Sequence, residues 1–240
     1  MKADKFVLVT GGAQRIGRSM ALAIARSGRN VAIHYWQSQK EAESVRAEIE
    51  ALGRKVLLLQ ADFSQPEQVQ GVISRVLDHG TLVGLINNAS IFEKIDWQKC
   101  SLDDWNRHMM VNLTVPFLLS QAFARALPSG EPGRIINMMD WRVFRPRSDY
   151  LPYSISKSGL AALTHSLAAS FAPQITVNGL ALGAVIAPVD GSEDESILDL
   201  VPSARRISLE EVNETLLFLL NGPATVTGEI LYLDGGRHLI

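Results

Sequence analysis

The chain has 240 residues, 47% hydrophobic and 20% charged, with a formal net charge of −2. That near-neutral balance excludes general electrostatic binding to nucleic acid or anionic membrane, which needs a basic surplus. No run of about 18 apolar residues is present to span a bilayer, and the opening MKADKFVLVTGG lacks the apolar stretch of a signal peptide.

Short apolar runs alternate with longer amphipathic stretches. FVLVT (6–10), NVAIHY (30–35), KVLLLQAD (55–62), LVGLINNAS (82–90), RIINMM (134–139), ITVNGLAL (175–182) and EILYLDGG (229–236) read as strands. Most are apolar on both faces, as parallel strands covered by helices must be. Helical patterns fall near 15–28, 38–53, 66–79, 103–127, 152–171 and 208–221. Pro152 suits the first turn of a helix and Pro173 suits its stop. Strictly alternating elements of this kind predict right-handed βαβ units. The expected fold is α/β, a single domain over 1–240 built on a Rossmann-type doubly wound parallel sheet of about seven strands with helices on both faces. One tract, 183–206, is too long and polar for an ordinary connection and is expected to form a substrate-side lid. The single cysteine, Cys100, has no internal disulfide partner and reads as a small packed residue, with a reducing cytoplasm the expected compartment. The five histidines are scattered without metal-ligand spacing, so no metal site is expected.

The first strand runs into TGGAQRIGRSMALAIARSG. Gly11 permits a tight turn and Gly17 lets the following helix pack closely on the strand. The N-terminus of that helix offers free N–H groups and a partial positive charge, suited to a pyrophosphate. The second strand ends in HYWQSQK, with no acid before Glu41 to hold ribose hydroxyls. Arg15 and Ser38 can instead hold a 2′-phosphate, which favours NADPH as cofactor.

Further on, Tyr153 and Lys157 stand one helical turn apart, and Asp140 ends a strand thirteen residues before the tyrosine. An ammonium near a phenol favours phenolate and is expected to lower the tyrosine pKa. A proton donor tuned toward neutral pH is what hydride transfer to a C=O or C=N bond requires.

The T-G-x-x-x-G-x-G turn with Arg15 in place of its middle glycine, NNAS at 87–90 and Y-S-I-S-K at 153–157 resemble, in that order, the short-chain dehydrogenase/reductase family across residues 5–238. The resemblance implies that Gly11, Arg15, Ile16, Gly17, His34, Tyr35, Ser38, Asp62, Phe63, Asn88, Ala89, Ser90, Tyr153, Lys157 and Gly183 line the cofactor, with Asp62 and Phe63 at the adenine and Lys157 at the nicotinamide ribose. It implies that Asn112, in VNLTVP, supports a proton-relay water, and that the protein is a homotetramer. The family's P-G after strand six is Leu182-Gly183 here.

Where the family has its catalytic serine, this chain has Asp140. That carboxylate, the phosphate loop and an aromatic residue two positions after Ser90 resemble the pteridine reductases of the superfamily, and DGGRHL (234–239) resembles their bacterial dihydromonapterin-reducing members. By that resemblance the catalytic set is Asp140, Tyr153, Lys157 and Asn112, and the substrate set is Arg15, Ser90, Phe92, Asp140 and Tyr153. Phe92 then stacks on a flat pterin, and Asp140 bonds or protonates a ring nitrogen. Arg142, Arg145 and Arg147 read as a solvated loop, with contact to a polar substrate tail as the other reading. Trp36, Trp97, Trp105 and Trp141 read as core or oligomer packing. The expected activity is NADPH-dependent reduction of a dihydropterin. Two alternatives remain: a carbonyl reductase acting on a 3-oxoacyl thioester, and a non-catalytic NADPH-binding protein.

Overall fold

The computed structural model describes residues 4–186 and 201–240. Seven strands, β1 (Lys5–Val9), β2 (Asn30–Tyr35), β3 (Val56–Gln60), β4 (Thr81–Asn87), β5 (Gly133–Asp140), β6 (Ile175–Leu182) and β7 (Ile230–Leu233), lie in one sheet. Their order is β3-β2-β1-β4-β5-β6-β7, and every adjacent pair is parallel. Among the described residues the α-helices are α1 (Arg15–Arg26), α2 (Gln39–Ala51), α3 (Pro66–Leu77), α4 (Leu102–Met109), α5 (Val115–Ala126), α6 (Leu151–Phe171) and α7 (Leu209–Asn221).

Alternation along β1 decides the layers. Phe6 and Leu8 point to one face and pack with Val72 of α3, Leu119 and Phe123 of α5 and Leu167 of α6. Val7 and Val9 point to the other, against Met20 and Ile24 of α1, Val45 of α2 and Leu216 of α7. Helices therefore cover both faces, as the unbroken apolar strands require. Phe123 is fully buried, and cutting it to alanine costs about 3–5 kcal/mol in such a core.

The strand order reverses at β1. From there the chain builds outward through β2 and β3, then returns to place β4 on the other side. The loops after β1 and β4 diverge at this switch point and leave a crevice at the carboxyl ends of the strands. Four strands expected to run further stop short: β1 ends at Val9, β3 at Gln60, β4 at Asn87 and β7 at Leu233. Asp62, Phe63 and the Asn88–Ser90 segment are thereby released into loops at that crevice.

The helix expected across 103–127 is broken. A π-helical turn at Met110–Thr114 separates α4 from α5. Pro116 is a physical reason: it has no N–H for the carbonyl of Asn112, four residues earlier, so the α pattern cannot pass through this point. Between β5 and α6, two short 3₁₀ turns at Trp141–Phe144 and Ser148–Tyr150 carry the chain across the carboxyl edge. Of the expected lid tract, 187–200 lies outside the described residues; the chain after it enters α7 through a capping box of Ser208 and Glu211. Among the described residues no helix is long and apolar enough to cross a membrane, and no cluster of ligating side chains could hold a metal ion.

Candidate functional site

The turn after β1 is held from three sides. Gly11 takes φ +62°, and its N–H donates to His34 Nδ1 at 3.2 Å. Thr10 Oγ1 accepts from the N–H groups of Asn88 (2.8 Å) and Ala89 (2.9 Å). The Asn88 amide donates back to the carbonyls of Thr10 (2.8 Å) and Gly11 (3.2 Å). A Cβ at Gly17 would collide with the Gly11 carbonyl, so only glycine lets α1 start this close to the turn. The first turn of α1 contains no acidic residue to offset its positive end. Arg15, at the family's glycine position, adopts φ +52°. A side chain in that left-handed conformation costs about 1–2 kcal/mol. It borders a shallow depression shared with Arg18, Glu41 and Ser44. Ile16 is half-buried and packs against the α1 core, while Ser38 caps α2 without a side-chain cap bond.

Of the two strand-end residues expected at the cofactor, His34 is among the residues lining the cleft that opens here, and Tyr35 is not. His34 is buried, with Nε2 against the Ala61 carbonyl at 3.0 Å and its ring stacked on Phe63 at 3.7 Å. Burial lowers its pKa to about 4, so the imidazole is neutral: Nε2–H donates to Ala61 and Nδ1 accepts from Gly11. His34 thus fixes the glycine turn, with both nitrogens committed. Tyr35 is buried between Ala13 and Ala42. A cleft of about 290 Å³ opens over this floor, bounded by Phe63, Asp62, Ala89, Ser90, Trp36 and Arg107. Trp36 is half-exposed at its edge rather than packed in the core. The donor groups, the crowded glycines and the unneutralised helix end together fit a dinucleotide.

The reacting centre lies beyond Ser90. Tyr153 and Lys157 are both buried on α6. Lys157 Nζ donates to the Met138 carbonyl at 2.9 Å and stands 5.9 Å from the Tyr153 ring centre. Burial lowers its pKa to about 8, with Asp140 opposing the shift. The expected lowering of the tyrosine pKa by Lys157 is not what the structure shows. Burial, then the Asp140 charge and its hydrogen bond to the phenol, push Tyr153 well above its ordinary value, with Arg142 opposing them. Tyr153 is a neutral donor here, kept so first by burial and then by Asp140.

Asp140 is itself gripped. Arg142 Nη1 donates to both carboxylate oxygens, at 3.0 and 2.8 Å, and the Arg142 N–H adds a bond at 2.9 Å. The two side chains are only 12% and 16% exposed, so Arg142 is no solvated loop residue. Its guanidinium also stands 5.7 Å from the Phe92 ring and 5.5 Å from that of Tyr150. Phe92 stacks on Tyr150 at 4.5 Å and meets Tyr153 edge-on at 4.7 Å, yet half its surface remains exposed.

Asn112 is fully buried in the π-helical turn. Its Oδ1 accepts from Ser90 Oγ (3.1 Å) and Ile91 N (2.9 Å), and its Nδ2 donates to Ile91 O (3.0 Å) and Ser156 Oγ (3.1 Å). Ser156 Oγ donates in turn to the Tyr153 carbonyl at 2.7 Å. The side chain is a brace between the β4 loop and α6. Gly183 follows β6, where a Cβ would press on the Asp234 backbone at 2.8 Å. Sequence reasoning missed Thr10, Tyr150 and Ser156 and underrated Arg142. The signal was there: Thr10 opens the T-G-x-x-x-G-x-G turn, Ser156 lies inside Y-S-I-S-K, and Tyr150 stands three residues before Tyr153.

Comparison with known proteins agrees with this geometry. A family model described as short chain dehydrogenase matches residues 5–197. A 3-oxoacyl-acyl-carrier-protein reductase of Synechocystis is 33% identical over 95% of both chains. A crystal structure of FolM Alternative dihydrofolate reductase 1 from Brucella canis complexed with NADP is 34% identical, with a TM-score of 0.92 over 100% of this chain and 96% of that one. The corresponding Brucella suis structure in complex with NADP is 33% identical with a TM-score of 0.94, over 100% of this chain and 97% of that one. A family match across most of the length, on a seven-stranded parallel sheet with Tyr153 and Lys157 buried together at its carboxyl edge, leaves one conclusion: the chain belongs to the short chain dehydrogenase family of oxidoreductases.

Proposed function

We propose that this chain reduces a dihydropterin to its tetrahydro form, with NADPH as its cofactor. The carrying observation is Asp140, fixed by Arg142 at the end of β5, its charge acting on the buried Tyr153 phenol beside the half-exposed ring of Phe92. The NADP-bound FolM neighbours support the same reading. The turn from Gly11 to Gly17 and the start of α1 would hold the pyrophosphate. Arg15 and Ser38 would hold the 2′-phosphate, and Asp62 and Phe63 the adenine. Asn88, Ala89, Ser90, Lys157 and Gly183 would line the remainder. When bound, NADPH supplies a hydride to the carbon of a C=N bond.

The adjoining nitrogen then needs one proton, and this chain provides it. Tyr153, kept protonated by burial and by Asp140, releases its proton only as negative charge builds on the substrate. Asp140 accepts from ring or exocyclic N–H groups of the heterocycle and orients it. Phe92 offers a flat apolar face. Lys157, anchored on the Met138 carbonyl, is the cation that offsets the charge left on the phenol. Asn112 and Ser156 fix the two elements relative to each other. A serine in place of Asp140 would offer a single neutral hydroxyl and no charge for those N–H groups.

The second reading, a carbonyl reductase on 3-oxoacyl thioesters, draws on the Synechocystis relative. A panel following loss of reduced nicotinamide absorbance separates the two. Turnover with dihydrobiopterin, dihydromonapterin or dihydrofolate well above that with 3-oxoacyl thioesters is expected. The reverse order overturns the pterin reading.

A further inference from the structure

A second cavity, of about 500 Å³, opens next to the reacting centre and is lined by Trp141, Arg145, Pro146, Arg147, Arg237 and Ile240. Three of those six residues are arginines. Arg147 pairs with Asp149 at 2.9 Å. Arg145 gives one long bond, 3.4 Å, to the His238 carbonyl. Arg237 differs from both. It is 5% exposed, and its guanidinium lies 4.4 Å from the Trp141 ring centre. Burial lowers its pKa, and the neighbouring charge of Arg142 lowers it further. Its neighbouring carboxylates are committed elsewhere. Asp140 is bound to Arg142, and Asp234 accepts from His238 and from the N–H of Gly236. Among the described residues, no acid stands within ion-pair distance of Arg237.

A guanidinium taken from water without an acid is costly, and stacking on an indole offsets part of that cost. The remainder is what a bound anion would offset. The cavity is also close to the chemistry. Arg142 lies 5.0 Å from the Trp141 ring centre and 5.7 Å from that of Phe92, so a single guanidinium separates the cavity wall from the ring at the reacting centre.

We propose that this cavity is an oxyanion site, in which Arg237 from the floor and Arg145 and Arg147 from the rim hold a carboxylate or phosphate group. The group arrives either on the side chain of the reduced substrate or as a separate small anion. The first source rests on the pterin reading; the site itself does not. Planar two-pronged donors suit both groups, and a cavity of this size takes a side-chain terminus rather than a macromolecular surface.

The test compares two dihydropterins on the whole protein, dihydrofolate with its glutamate carboxylates and dihydrobiopterin with an uncharged side chain. A titration calorimetry series with inorganic phosphate runs alongside. Arg237→Met is one variant. The rim pair Arg145→Ala/Arg147→Ala, both exposed, is the second, in case the buried change harms folding. With the substrate as source, KM for dihydrofolate rises about 10-fold in either variant, as for loss of one charge-assisted contact. Its kcat and both constants for dihydrobiopterin then hold. With a separate anion as source, neither KM moves, but wild-type protein binds inorganic phosphate and the variants do not. If the KM values are unmoved and phosphate binding is absent or unaltered, the oxyanion site is overturned. If no dihydropterin is turned over, the pterin reading falls and the phosphate series alone decides the cavity.

Discussion

Replacing Asp140 by serine separates what that carboxylate does for the fold from what it does for the reaction. It takes both oxygens away from Arg142, whose side chain is 12% exposed and whose Nε already lacks a partner. Removing one member of a buried pair costs about 3–5 kcal/mol, and a single charge-assisted bond about 1.5–3 kcal/mol. This pair keeps some contact with solvent, so about 2 kcal/mol is expected. At about 2–4 °C per kcal/mol for a chain of this size, the melting temperature falls by about 4–8 °C. Dihydropterin turnover falls by about 10-fold or more through the lost bonds to the heterocycle, while activity on a simple test ketone holds or improves. Adding Arg142→Met removes the orphaned cation, so calorimetry on the double variant shows most of the stability regained. Steady-state kinetics show turnover still low. Undiminished dihydropterin turnover and affinity in Asp140→Ser refutes the substrate role. Recovery of turnover in the double variant shows instead that Asp140 acts only by restraining Arg142.

Tyr153→Phe removes the proton donor and is expected to lower turnover by about 10²–10⁴-fold, with NADPH affinity by fluorescence titration nearly unchanged; full activity would show that the acid is another group. Arg15→Gly relaxes the φ +52° backbone, so the protein gains about 1 kcal/mol in thermal unfolding. The same variant raises KM for NADPH far more than for NADH, and equal shifts would rule out a 2′-phosphate role. His34 has its folded pKa lowered to about 4 from an ordinary value near 6.5, so between those values the unfolded chain binds the extra proton. Stability is therefore full above about pH 6.5 and declines by about 3 kcal/mol as pH falls to 4. A His34→Asn variant with an unaltered slope over that range would contradict the assignment.

The strand and helix order was legible because most strands are apolar on both faces, as a covered parallel sheet requires. Tyr153, Lys157 and Asp140 were legible because they fall at fixed offsets along one strand–turn–helix segment. What escaped was set by tertiary partners. His34 sits at a strand's carboxyl end, where sequence offers it to the cofactor; only the fold shows Ala61 and Gly11 taking both nitrogens. Periodicity ran unbroken through Asn112, although Pro116 already marked the spot where the helix changes pitch. Arg142 looked like one of three loop arginines. Its burial depends on Asp140 two residues back and on rings from three separate segments.

The charges at the reacting centre also explain why the serine of the family's pattern is not simply interchangeable with Asp140. In this chain the carboxylate and burial act together on Tyr153, both raising it, while burial brings Lys157 down to about 8. The two shifts converge on a centre with an un-ionised phenol and an ammonium that is easily discharged. Such a centre gives up a proton late, when the substrate nitrogen has become basic enough to take it. A dihydropterin C=N bond meets that condition, because the nitrogen gains basicity as its carbon accepts hydride. A carbonyl oxygen would take the same proton as its carbon accepts hydride, but it brings no N–H group for the carboxylate alongside to accept. On the proposed reading, what separates the two substrate classes at this centre is the fixed Asp140 carboxylate, which a pterin meets with N–H groups and a simple carbonyl does not.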